Sequence, residues 1–197
     1  MNSNGRHLRA ALIAGAAAAA LTLNLAPALA AQEHGTAPSA ATAVTATTAT
    51  ALVYDKNQKN PADSRLSVYQ GTRLMARYRA GSGTGSKDDC ALTRGWIPNG
   101  NWRIKLKSRA YNGRLIKGYA VYLEDMRCSK GTAKRTEMFI HSEMNRDGSP
   151  GGRENRRWDG VGDYASWGCV KLRPADIKEM FRLLDRIGWP THLRVVS

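Results

Sequence analysis

Acidic residues are scarce in this chain. Its 197 residues carry 16 Asp and Glu against 30 Lys and Arg, a formal net charge of +14. The few acids that fall in pairs, Asp88-Asp89 and Glu124-Asp125, are sequence neighbours. On a strand they would face opposite ways, so a glycosidase-type carboxylate dyad is not supported. Histidine and cysteine are also rare, at four and three. His141, His192 and Cys169 are too few obvious ligands for a zinc peptidase. No Pro-Cys-x-x-Cys follows His141-Ser142-Glu143, which excludes a zinc deaminase. Beyond residue 30 no apolar run is long enough to cross a membrane.

What is present divides the chain in three. Arg6, His7 and Arg9 precede an Ala-rich apolar run from Ala10 to Leu25, and Ala28-Leu29-Ala30 supplies small residues for cleavage. Residues 1–30 therefore read as a secretory signal peptide, with no stable membrane insertion after cleavage. Removing them takes Arg6 and Arg9 but no acid, and lowers the net charge from +14 to +12. Residues 31–50 are almost all Ala, Thr, Ser, Pro and Gly, a flexible spacer unable to bury a core. Residues 51–197 are long enough for one domain. A secreted domain this basic is drawn to anionic cell-wall polymers or lipid rather than to nucleic acid.

The domain reads as mainly β. Leu66 and Val68, the Gln70-Gly71 turn, and Leu74, Ala76, Tyr78 and Ala80 predict a hairpin with one wet, basic face. Trp102, Ile104 and Leu106 alternate with basic residues, and Tyr119–Leu123 and Met138–Ile140 suit buried strands. Gly81 to Ser86 reads as a flexible loop; it lacks the Lys-Ser/Thr ending of a phosphate loop. One helix is clear, with Ile177, Met180, Phe181, Leu184 and Ile187 on one face, Pro174 in its first turn and Gly188 at its end. Leu193–Val196 reads as a closing strand, with His192 structural or solvent-facing.

Three cysteines in an oxidising compartment leave one unpaired. Cys90 with Cys128 is the natural pair, since Cys169 lies in a small-residue turn, Ser166-Trp167-Gly168-Cys169, between apolar stretches. The alternatives are three free thiols, or a Cys169 disulfide that would remove a nucleophile. His141 ends the apolar run Met138-Phe139-Ile140. A strand-end imidazole and a thiol in a glycine turn suggest a nucleophile with its base. The order, His before Cys, argues against papain-like and NlpC-type peptidases. Trp-Gly-Cys fits a sortase poorly.

Ile140-His141-Ser142 and Ser166-Trp167-Gly168-Cys169-Val170-Lys171-Leu172 resemble the signature of YkuD-type L,D-transpeptidases. Pro98-Asn99-Gly100 before Trp102, Val161-Gly162 before Ser166, and the final strand resemble that family too. The resemblance implies a YkuD-like β-sandwich with one helix after the catalytic turn. It implies Cys169 as nucleophile, His141 as base and the Ser142 carbonyl as its orienter. The N–H groups of Trp167, Gly168 and Cys169 would form the oxyanion hole, and Ser166 would support the turn. The implied reaction is acyl transfer on peptidoglycan stem peptides: D-Ala leaves, a 3–3 cross-link forms, and no cofactor or metal takes part. Hydrolysis of the same acyl-enzyme, as an L,D-carboxypeptidase, and a silent wall-binding module are the other readings. Trp167 stands where the family carries a second His, and Lys171 where it carries Asn or Arg. The spacer between His141 and Ser166 is long and carries Arg153, Arg156 and Arg157. Together with Lys171 they are candidate substrate-binding residues, the arginines on a rim loop that recognises a stem carboxylate or is simply solvated.

Overall fold

The computed structural model describes residues 48–151, 158 and 160–197. The signal segment, most of the spacer, and Arg153, Arg156 and Arg157 lie outside the described residues.

The hairpin forms as the alternation predicts. β2 (Ser64–Gln70) and β3 (Arg73–Ala80) pair antiparallel around Gly71, whose φ of +60° suits a residue without a Cβ. β1 (Thr50–Asp55), not predicted from the sequence, buries Leu52 and Tyr54 and pairs antiparallel with β2. The strand around Trp102 is longer than the alternation suggests. β4 (Gly100–Asn112) is followed by β5 (Lys117–Leu123), the short pair β6 (Met126–Arg127) and β7 (Lys134–Arg135), β8 (Phe139–His141) and β9 (Val170–Lys171). α1 (Pro174–Ile187) and β10 (His192–Val196) close the chain.

Eight strands make one sheet in the order β3-β2-β1-β10-β4-β5-β8-β9. β4 joins its halves: residues 100–103 pair with β10, and from Ile104 onward it pairs with β5 across two register shifts. Such irregularities bend and twist a strand, and the sheet curls until its edges meet. The Gly81 and Lys171 backbones exchange hydrogen bonds of 3.1 and 2.9 Å, joining the chain just after β3 to β9. Among the described residues the fold is mainly β with one α-helix, as expected. Its layers come from a single curled sheet.

α1 fills the curl. Pro174 occupies its first turn, and the Gly188 N–H bonds the Leu184 carbonyl at 2.9 Å with φ +95°. The predicted stripe is buried: Ile177, Met180, Phe181 and Leu184 pack with Val121, Leu123, Ile140 and Val170. Because strand side chains alternate, Ala120, Tyr122, Phe139 and Cys169 stand on the opposite face. A second, smaller cluster forms there, of Ala120, Phe139 and Cys169 flanked by Tyr111, Ile116 and Tyr122. That outer face carries the site.

Candidate active site

The parallel pairing of β8 with β9 sets Ile140 opposite Val170 and His141 opposite Lys171. One step back, Cys169 comes beside Phe139. Phe139, His141, Cys169 and Lys171 thus share one face of two adjacent strands. All four line a cleft of about 1170 Å³. Its mouth carries the exposed side chains of Leu92, Leu115 and Trp167. Lys171 is buried and ion-paired with Glu143 at 2.9 Å, its ammonium 5.3 Å from the Trp158 ring centre.

His141 Nδ1 lies 2.9 Å from the Ser142 carbonyl oxygen. A carbonyl only accepts, so Nδ1 carries the proton and Nε2 is left as the basic nitrogen. This is the orientation the sequence resemblance implies. Burial pushes the His141 pKa down to about 4; the Ser142 hydrogen bond opposes the shift and nearby Lys171 adds to it. Burial pushes the Cys169 thiol up to about 11, against the stabilising Phe139 N–H and the Arg135 charge. The resting pair is therefore neutral at pH 7. The thiol donates to the Glu137 carbonyl at 3.7 Å. Glu137 itself has φ +53°, a left-handed conformation that a non-glycine residue rarely adopts.

The turn before Cys169 is tied down from several sides. Ser166 Oγ donates to the Cys169 carbonyl at 2.5 Å and accepts from the N–H groups of Gly168 at 3.2 Å and Gly83 at 3.3 Å. Ser166 thus bonds within the turn where the resemblance expects a support. In the resting state the Gly168 N–H, one of the three expected oxyanion donors, is engaged by Ser166. Gly168 has φ +111°, and a Cβ there would lie 2.0 Å from Arg135 Nη2.

Two supports were not singled out in the sequence. The Gly81–Ser86 segment, read as a flexible loop, is a buttress at its first half: Gly81, Ser82 and Gly83 are buried. Ser82 Oγ donates to the Gly168 carbonyl at 2.7 Å and accepts from Ile97 N–H at 2.8 Å. Gly-Ser alternation reads as flexible because local sequence does not reveal the backbone it will meet. The second is Arg135, buried beneath the turn, one cation among 30 and without local pattern.

Cys90 and Cys128 form the expected disulfide, and Cys169 is the free thiol. Among the described residues, one grouping has metal-ligand spacing, Asp89, Cys90 and Cys128; the disulfide removes both thiolates from it.

In this mainly-β domain a free thiol and an imidazole thus line one cleft. The YkuD family, the L,D-transpeptidase catalytic domain, matches residues 55–188, and the chain belongs to that family. Solved structures similar to it include L,D-transpeptidase 1 of Mycobacterium tuberculosis (16% identity, TM-score 0.40, covering 75% of this chain and 63% of that one). An L,D-transpeptidase from Mycobacterium smegmatis shows 13% identity and a TM-score of 0.42, covering 75% and 59%. Residues 123–326 of the Xylanimonas cellulosilytica L,D-transpeptidase show 15% and 0.40, covering 74% and 60%. The chain spans less than two thirds of the length of these solved relatives. No curated protein matches it.

Proposed function

We propose that this protein is an exported peptidoglycan L,D-transpeptidase acting through a Cys169 thioester. The observation that carries the reading is the register of β8 and β9, which sets His141 and Cys169 on one face at the floor of an open cleft. Family membership supplies the substrate class, stem peptides of the wall.

The sulfur attacks the carbonyl of the third stem residue, and the thiol proton passes to His141 Nε2. The N–H groups of Trp167 and Cys169 would meet the oxyanion, and the Gly168 N–H would join them if Ser166 released it. The tetrahedral intermediate collapses with cleavage of the C–N bond, and His141 returns its proton to the departing D-Ala amine. An acceptor amine then attacks the thioester, gives its proton to His141, and leaves a 3–3 cross-link as the sulfur regains its hydrogen. Because the resting pair is neutral, attack and proton transfer are coupled in the bound complex. Lys171 and, from the long spacer sequence, Arg153, Arg156 and Arg157 are the proposed recognition cations for a stem carboxylate. The domain from residue 51 carries the chemistry, residues 31–50 space it from the signal, and the net positive charge holds it near anionic wall polymers.

The test is mass spectrometry of the purified chain with disaccharide-tetrapeptide, beside Cys169→Ala. Loss of D-Ala with a covalent dimer, absent in the variant, is expected. D-Ala release without a dimer, when an acceptor is supplied, would make the protein an L,D-carboxypeptidase. No reaction by the folded, reduced chain would reject this donor and favour a wall-binding role.

A further inference from the structure

Arg135, the last residue of β7, is 1% exposed. Its Nη1 donates to the Asp89 and Trp96 carbonyls, and its Nη2 to the Gly95 carbonyl at 3.3 Å and the Trp167 carbonyl at 3.4 Å. Among the described residues no carboxylate forms an ion pair with it. Asp89, whose backbone carbonyl Arg135 does bond, turns its carboxylate instead to the N–H and O–H of Ser129. Carbonyl oxygens satisfy the guanidinium's donors but do not cancel its charge, and burial disfavours that charge more than the neighbouring Asp88 and Asp89 favour it. The guanidinium sits where a negative charge must later appear. It lies against Gly168, so close that any Cβ there would collide with Nη2. It also holds the carbonyl of Trp167, two residues before the sulfur.

We infer that Arg135 is the positioning residue of the Cys169 turn, fixing the Trp167-Gly168 backbone and supplying the positive charge that the sulfur faces once it becomes a thiolate. The inference rests on Cys169 being the nucleophile, and not on which acyl donor it attacks. The mutual influence is favourable in both directions: Arg135 favours the ionised sulfur, and a negative Cys169 favours the charged guanidinium. Other groups face the pair. Asp88 and Asp89 favour the charged Arg135, and Glu137 opposes ionisation of Cys169. His141 and Lys171 stand on the adjoining strand positions. Lys56, a further buried cation, stacks 4.1 Å from the centre of the Trp96 ring. None of these touches Gly168 as Arg135 does.

The test follows Cys169 alkylation by iodoacetamide against pH in the purified chain, for wild type, Arg135→Lys and Arg135→Gln. Removing the charge should move the alkylation midpoint up by about one pH unit or more, in line with the effect of an adjacent opposite charge. Arg135→Lys should keep a midpoint near that of wild type, because its ammonium restores the charge even though it cannot span the four carbonyls that Nη1 and Nη2 hold between them. A folded Arg135→Gln whose profile superposes on wild type would reduce Arg135 to packing and overturn the inference. Should Arg135→Gln fail to fold, the guanidinium ¹⁵N resonance of Arg135 in the wild-type chain gives the answer. An inflection tracking Cys169 ionisation, absent in Cys169→Ala, is expected; its absence from the wild type would overturn the inference. Neither readout needs a peptidoglycan substrate, so a failed cross-linking assay would leave this result standing.

Discussion

At the residue scale, the pH behaviour of the site is set by burial. With His141 held near 4 and Cys169 near 11, the imidazole remains a base across the whole neutral range and the thiol remains protonated. Iodoacetamide labelling of Cys169 in the substrate-free protein should therefore keep rising above pH 9 instead of levelling off near neutrality. A plateau at pH 7 would show a preformed ion pair. Gly168 offers a sharper case. Its φ of +111° and its contact with Arg135 leave no room for a side chain. Gly168→Ala should lower stability by about 1–3 kcal/mol, the usual cost of a strained backbone position, and reduce turnover at least about tenfold through misplacement of the sulfur. Thermal melting and acyl-enzyme formation would measure the two effects separately. Cys169 and His141 were legible in the sequence because their chemistry is rare in this chain. Arg135 was not, because only its burial distinguishes it from other cations.

At the scale of elements, the site is made by pairing between segments distant in sequence. β8 ends on His141 and β9 begins just after Cys169, so two short strands deliver both groups to one face. The Gly81–Gly83 stretch then clamps the turn from the other sheet edge. Ser82 bridges Ile97 N–H and the Gly168 carbonyl while fully buried. Ser82→Ala would strand both groups without solvent, at a cost of about 1–3 kcal/mol. Chemical denaturation should show that loss together with slower Cys169 acylation, although Ser82 touches no substrate. Unchanged acylation in a destabilised variant would separate the clamp from the chemistry. Hairpin β2–β3 and α1 were readable because alternation and a helical stripe are local signals. The two-residue strands β6, β7 and β9 carry no such pattern and exist only through their partners.

At the scale of the molecule, two buried groups shape stability against pH. The folded pKa of His141 lies below its unfolded value of 6.5, so its contribution is complete above that value and lost as pH falls toward about 4. The folded pKa of Cys169 lies above its unfolded value of 9.0, so its contribution is complete below 9.0 and lost as pH rises toward about 11. Stability should peak between these limits and fall by roughly 2–3 kcal/mol on the acid side from His141 alone. Urea titrations at about pH 5, 7.5 and 10 would check it. A maximum at pH 5 would contradict a partly buried His141 that is held neutral. The Cys90–Cys128 bridge, 38 residues apart, adds about 4 kcal/mol on the chain-entropy model. It also ties the Asp89 segment, whose carbonyl receives Arg135, to the end of β6.

The sequence by itself determined the mainly-β class, the hairpin, the helix and the natural disulfide pair, and it singled out Cys169 and His141 as the candidate pair. Each rests on a pattern complete within a few residues or on a residue type too rare to be ambiguous. The tertiary structure alone decided that one sheet curls until Gly81 meets Lys171, that a Gly-Ser stretch becomes a buttress, and that a buried arginine lies against the turn before Cys169. Those outcomes depend on which distant backbone carbonyls converge on one place, and that is settled by packing and register.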